Sequence, residues 1–172
     1  MVFNTGKINF EQGLKVGADN APVKVVEYIN LRCPDSKHYE LKVAPYLDSY
    51  IEEGKVQRIL KHFDKKSLEL EKGSLMNQYL DYEREAESYD TIHQLFQEQE
   101  DWASHRIAAI PHLARDYGLQ LEVSNQERAE KATEEIKAVG IERIPTVFVG
   151  DKAFVETIHL GDFKREIDSQ FL

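Results

Sequence analysis

Leu31-Arg32-Cys33-Pro34-Asp35-Ser36 is the stretch on which the reading of this 172-residue chain turns. It follows Val23-Lys24-Val25-Val26-Glu27-Tyr28-Ile29-Asn30, a nearly continuous run of β-branched and aromatic residues that predicts a central strand. Pro is favoured at the first position of a helix, so Pro34 places Cys33 at or beside the N-cap. There the unpaired backbone N–H groups and the positive end of the helix dipole stabilise a thiolate over a thiol, and the thiolate is the nucleophile. A sulfur just past the end of a central strand also lies where open α/β sheets carry their sites. The competing reading is a buried, inert Cys33, since free cysteine is among the most buried residue types.

Working outward, Val43, Ala44, Leu47, Tyr50 and Ile51 recur at helical spacing, with a kink expected at Pro45, which has no N–H to give. Gly54 ends that segment and Val56 to Phe63 reads as a second strand, completing a βαβ unit with parallel strands and a right-handed crossover. Ser67 to Gly140 reads as helical almost throughout. Leu95, Phe96 and Trp102 share one helix as core residues, and Pro111 opens another helix that closes near Gly118. Ser124-Asn125-Gln126-Glu127 reads as a capping box, after which Ala129, Ala132, Ile136 and Val139 run to a C-cap at Gly140. Thr146 to Val149, a Gly150-Asp151 turn and Ala153 to Val155 predict a hairpin, and Phe163, Ile167 and Phe171 mark a closing helix. The expected architecture is one α/β domain over 1–172. Its sheet-forming parts are about 1–66 and 140–172, and a helical insertion occupies about 67–139.

A formal net charge of −9 with no Lys/Arg block argues against nucleic acid and anionic membranes as partners. No apolar stretch of membrane-spanning length occurs, and Met1 to Lys7 lacks the apolar core of a signal peptide, so the cytoplasm is the expected compartment. Cys33 is the single cysteine, which rules out an internal disulfide and fits a reducing compartment. The six histidines form no metal-ligand pattern, His105 and His112 being merely seven apart, and no phosphate-binding glycine loop is present. No metal and no bound cofactor are expected. The acid-rich stretch Glu83-Arg84-Glu85-Ala86-Glu87 reads as a solvated face.

Ser36 stands where a second thiol would stand in a Cys-x-x-Cys motif. Its hydroxyl can donate to the Cys33 sulfur but cannot expel a mixed disulfide, so any catalytic cycle must be monothiol. Asp35 opposes a second negative charge beside it, and Arg32 offsets part of that. The second element is Ile144-Pro145-Thr146. A cis Pro145 would turn the Ile144 backbone toward the sulfur, where it could pair with an extended peptide. A trans Pro145 would merely begin an edge strand.

Taken together, Val23 to Tyr28, Cys33-Pro34-x-Ser36, Asp101-Trp102 within a helical insert, and Gly140-Ile141-x-x-Ile144-Pro145-Thr146-Val147-Phe148-Val149 resemble the DsbA-like family of the thioredoxin superfamily. The resemblance runs from about Ala21 to Phe171 and implies a thioredoxin fold. It implies that Cys33 is the nucleophile, that Pro145 is a cis-proline facing it, and that Glu27 is an acidic residue buried beneath the active site. Ser36 is the departure from the family pattern. Independently, Glu27 shares its strand face with Val23, Val25 and Ile29; on an apolar face it would be a buried carboxyl with a raised pKa, able to relay a proton. The plainer alternative is an exposed acid paired across the sheet with Lys61.

The leading expectation is thiol-disulfide exchange through Cys33, with Pro34, Ser36 and Glu27 around it and Ile144, Pro145 and Thr146 holding substrate. Protein or small-molecule thiols and disulfides would be its partners. An external thiol, glutathione or another small one, would resolve the intermediate as co-substrate. Two rivals remain: a redox-inactive adaptor that binds a partner protein, and a glutathione-dependent transferase or isomerase.

Overall fold

A computed structural model describes residues 2–172. Five strands form one mixed sheet: β1 (Leu14–Val16), β2 (Val23–Ile29), β3 (Val56–His62), β4 (Thr146–Val149) and β5 (Lys152–Val155), in the order β1-β3-β2-β4-β5. β2 and β3 are parallel, as a crossover connection requires, and every other pairing is antiparallel. β2 lies at the centre and is buried along almost its whole length, which is why its sequence is apolar on both faces. β1 has no counterpart in the sequence reading, since three residues are too few to show a period. It holds its edge position by pairing Leu14 with Leu60 and Val16 with Arg58.

The crossover between β2 and β3 begins with α1 (Pro34–His38), passes through a π turn at Tyr39–Val43 and a 3-10 turn at Ala44–Leu47, and ends in α2 (Asp48–Glu52). The irregularity sits where Pro45 withholds an N–H, as the sequence led us to expect. Between β3 and β4 come α3 (Glu71–Asn77), α4 (Glu85–Gln97), α5 (Gln99–Ala103), a 3-10 turn at Ile107–Ala109, α6 (Ile110–Asp116) and α7 (Asn125–Val139). α8 (Leu160–Ser169) closes the fold.

Three apolar clusters hold these layers together. Val23, Val25, Val147 and Val149 pack with Tyr39, Val43 and Leu47 of the crossover and with Phe163 and Ile167 of α8. On the opposite face Val26, Tyr28, Ile59 and Phe148 receive Ile136 and Val139 of α7. The third cluster joins Ile29, Leu31 and Leu60 to Met76, Leu95, Phe96 and Trp102 of the inserted helices. The inserted residues therefore divide: α7 covers the sheet, while the other helices build onto its end.

Two local expectations are corrected. Leu95, Phe96 and Trp102 are all core, but the helix breaks at Glu98, so Trp102 lies on α5 and donates its indole N–H to the Leu95 carbonyl at 2.7 Å. The capping box at Ser124 does not form, because Ser124 already has helical dihedrals and its side chain makes no cap bond. Asn125 serves instead, its amide donating to the carbonyls of Asn77, Gln78 and Leu80 and tying α7 to the end of α3. At the other end of α7, Gly140 supplies the left-handed residue (φ 92°) that the C-cap needs.

Candidate active site

Cys33 is the N-cap of α1, in extended conformation, with Pro34 as the first helical residue. The sulfur accepts a hydrogen bond from the backbone N–H of Ser36 at 3.4 Å. Its thiol faces the Ile144 carbonyl at 3.8 Å, and the Ile144-Pro145 peptide is cis. The fold thus brings together two segments 111 residues apart in sequence. β4, which follows Pro145, is an inner strand between β2 and β5 rather than an edge, so the edge-strand alternative for Pro145 does not hold. Cys33 is 6% exposed, so little of it reaches solvent.

Ser36 differs from the sequence expectation in detail. Its side chain is fully buried, and its hydroxyl accepts from the Asn30 N–H at 3.3 Å, so the group that touches the sulfur is the main-chain N–H. Thr146 is also buried, and its hydroxyl is committed to the Arg143 carbonyl at 2.6 Å. Of the Ile144-Pro145-Thr146 segment it is the Ile144 backbone that confronts the sulfur.

Glu27 is buried, and its partner is not Lys61. Side chains alternate along a strand, and Lys61 pairs in register with Tyr28, on the opposite face from Glu27. Arg58, paired in register with Val25, shares the face of Glu27. Its guanidinium forks onto that carboxylate, Nε to Oε2 at 2.6 Å and Nη2 to Oε1 at 2.7 Å. The same Nη2 reaches Glu40 at 2.5 Å, and Glu40 also meets the Tyr89 hydroxyl at 2.9 Å and His93 Nδ1 at 3.2 Å.

Burial pushes the Glu27 carboxyl up, and Arg58 only partly opposes this. Glu40 ends below the ordinary carboxylate range because Arg58, His93 and Tyr89 together outweigh its burial. The Tyr39 hydroxyl is buried, and its pKa is pushed far upward by burial and by Glu27. Glu27 makes its hydrogen bonds with Arg58 and none with Cys33.

Several residues that build the site escape a reading by sequence. His62 Nε2 accepts the Leu31 N–H at 3.0 Å while its Nδ1 meets Asp64 at 2.5 Å. Asn30 Oδ1 accepts the Arg32 N–H at 2.9 Å, and Gln99 donates to the carbonyls of Leu31 and Cys33 at 2.7 and 3.1 Å. Gly73 on α3 lies so close that a Cβ there would stand 2.1 Å from Asn30 Oδ1 and 2.7 Å from the Arg32 nitrogen. Arg58 gave no distinctive signal in sequence either, because Lys61 and His62 are polar positions of the same strand. The others act through backbone groups, which leave no pattern.

Among the described residues no group of three or more His, Cys, Asp or Glu is placed to hold a metal ion. No helix among them is long and apolar enough to cross a membrane.

A family profile described as thioredoxin matches residues 9–169, nearly the whole chain. A probable disulfide bond formation protein D from Bacillus anthracis is 31% identical over 98 residues, 54% of this chain and 45% of that protein. The match thus spans less than half the length of that curated relative. Among solved structures, a conserved protein of unknown function from Enterococcus faecalis V583 superposes with a TM-score of 0.91 at 29% identity, covering 96% of this chain and 95% of the other. Oxidised BdbD from Bacillus subtilis gives a TM-score of 0.73 at 18% identity, covering 94% of each chain, and at that identity it shows the fold.

Proposed function

Since this chain belongs to the thioredoxin family and is DsbA-like, we propose that it carries out thiol-disulfide exchange with Cys33 as its one sulfur and an external thiol as the resolving partner. The supporting observation is the setting of Sγ, between the Ser36 N–H and the carbonyl that precedes a cis-proline. The Ser36 N–H already points at the sulfur that would attack. The Ile144 backbone offers an incoming extended peptide an edge to align against. Pro34 sets the start of the helix and thereby where the Ser36 N–H points.

In this reading the Cys33 thiolate attacks one sulfur of a disulfide. The S–S bond breaks, a Cys33 mixed disulfide forms, and the displaced thiolate leaves and takes up a proton. A second thiolate from solution then attacks the substrate-side sulfur of the mixed disulfide, forms a new disulfide with it and displaces Cys33 as its thiolate. Ser36 has no sulfur with which to do this, and its hydroxyl is turned to Asn30. Glutathione or a similar small thiol fills the resolving role, and protein or small-molecule disulfides are the substrates.

Mass spectrometry of the native protein after exposure to oxidised glutathione tests the reading. It predicts one glutathione adduct, on Cys33, that added thiol removes. A native protein that forms no adduct overturns it. Ser36→Cys should shorten the lifetime of the adduct, because a resolving sulfur then stands beside it.

A further inference from the structure

The three residues that lead into α1 are held by side chains from three different elements. The Leu31 N–H goes to His62 at the end of β3, the Arg32 N–H to Asn30 at the end of β2, and the carbonyls of Leu31 and Cys33 to Gln99 of α5. The first two come from strands adjoining the loop. The third comes from the inserted helices, 66 residues beyond Cys33 in sequence.

Gln99 is itself almost fully buried at 1% exposure, and α5 is fastened on three sides. Trp102 caps the end of α4, Lys72 of α3 donates to the Ala103 carbonyl at 2.6 Å, and Lys37 of α1 lies 4.0 Å from Glu100. A planar amide with two N–H donors is suited to two converging carbonyls, where a carboxylate would meet only lone pairs.

We infer that Gln99 is a positioning residue for Cys33: its amide fixes the Leu31 and Cys33 carbonyls so that the sulfur stays between the Ser36 N–H and the Ile144 carbonyl. The inference rests on the exchange reading above. The Cys33 carbonyl also accepts the Lys37 N–H, the first bond of the helix, at 3.1 Å. Gln99 therefore grips the peptide that joins the nucleophile to its helix. Without that grip the Cys33 peptide keeps only its main-chain bonds, to the Lys37 N–H and the Asn30 carbonyl, and is held less tightly. The sulfur then loses its register with the cis-proline loop while the fold around it persists. The inserted helices thus hold one wall of the active site.

The test compares two reactions of Cys33 in the same protein. One is alkylation by iodoacetamide, which needs only an accessible thiolate. The other is exchange with a short extended peptide carrying a cysteine–thionitrobenzoate mixed disulfide, which needs the sulfur in register with the Ile144 backbone. Dividing the second rate by the first cancels general changes in exposure. Gln99→Ala should lower this ratio by roughly tenfold, the order expected for losing about 1.4 kcal/mol of alignment.

Gln99→Glu keeps the shape and makes the ratio depend on pH. It should stay near the wild-type value at low pH, where the introduced carboxyl can still donate to one carbonyl. It should fall as that carboxyl ionises. This within-protein comparison decides the matter even where Gln99→Ala folds poorly. An unchanged ratio in folded Gln99→Ala, or a ratio in Gln99→Glu that tracks wild type across pH, overturns the role of Gln99. A wild-type protein that is alkylated but never exchanges with the peptide overturns the exchange reading, and the positioning role with it.

Discussion

On one face of β2 and β3, Arg58 lies between two buried carboxylates, Glu27 and Glu40; on the other, Lys61 meets a single carboxylate, Glu135. The two clusters are three residues apart along one strand and yet separated by the sheet, because neighbouring side chains point to opposite sides. They differ in balance. Lys61 and Glu135 are a matched pair at the rim of α7, and Glu135 also accepts the Tyr28 hydroxyl at 2.6 Å and the Asn9 N–H at 2.9 Å. Arg58 is outnumbered, and the further group in its cluster that can carry a positive charge is half-buried His93 on α4. One cluster fastens a helix to the back of the sheet. The other ties the crossover that follows Cys33, through Glu40, to the inserted helices, through Tyr89 and His93.

That contrast ranks three substitutions. Arg58→Met should have the largest effect, since it leaves two carboxylates in the interior with no guanidinium between them. The expected loss is about 3–5 kcal/mol in urea unfolding. Adding Glu27→Gln and Glu40→Gln should restore a large part of it, as the remaining groups are then neutral. Lys61→Met should cost less, about 1–3 kcal/mol, because Glu135 keeps the Tyr28 and Asn9 donors and lies at the edge of the core. Equal losses at the two sites would break the distinction drawn between them.

His93→Gln should have the smallest effect, under about 1 kcal/mol, since water reaches the imidazole and screens it. Its signature is pH dependence. The hydrogen bond to Glu40 raises the His93 pKa above 6.5, against its partial burial. The stabilisation is therefore complete below pH 6.5 and is lost as pH rises through the folded-state value. The difference in Tm between wild type and His93→Gln should be greatest in mildly acidic buffer and fade in alkaline buffer. A difference that grows with pH would contradict the assignment.

The chain shows clearly in sequence those features that depend on neighbours along it. β2 follows from a run of β-branched residues, α1 from Pro34, the kink from Pro45, and the β4–β5 hairpin from two short apolar runs around Gly150. The pairing of Cys33 with the cis-proline loop was legible through the family resemblance, since the residues around Pro145 by themselves left cis and trans open. Burial of Glu27 also followed mainly from that resemblance, with its apolar strand face in support. Its partner did not, because choosing Arg58 over Lys61 requires the register of β2 against β3. A one-residue slip in that register exchanges the faces.

By itself the sequence determined its single cysteine and most of the elements and their order, which are set by backbone preference and by period along the chain. The tertiary structure decided which groups surround the Cys33 sulfur. Ser36 serves through its N–H rather than its hydroxyl, His62 and Gln99 hold the Leu31 peptide from two sides, and Gly73 lets α3 reach the turn before α1. The physical reason is that these are hydrogen bonds to buried main-chain groups. Every residue offers the same main-chain donor and acceptor, so only the folded arrangement determines which side chain meets them.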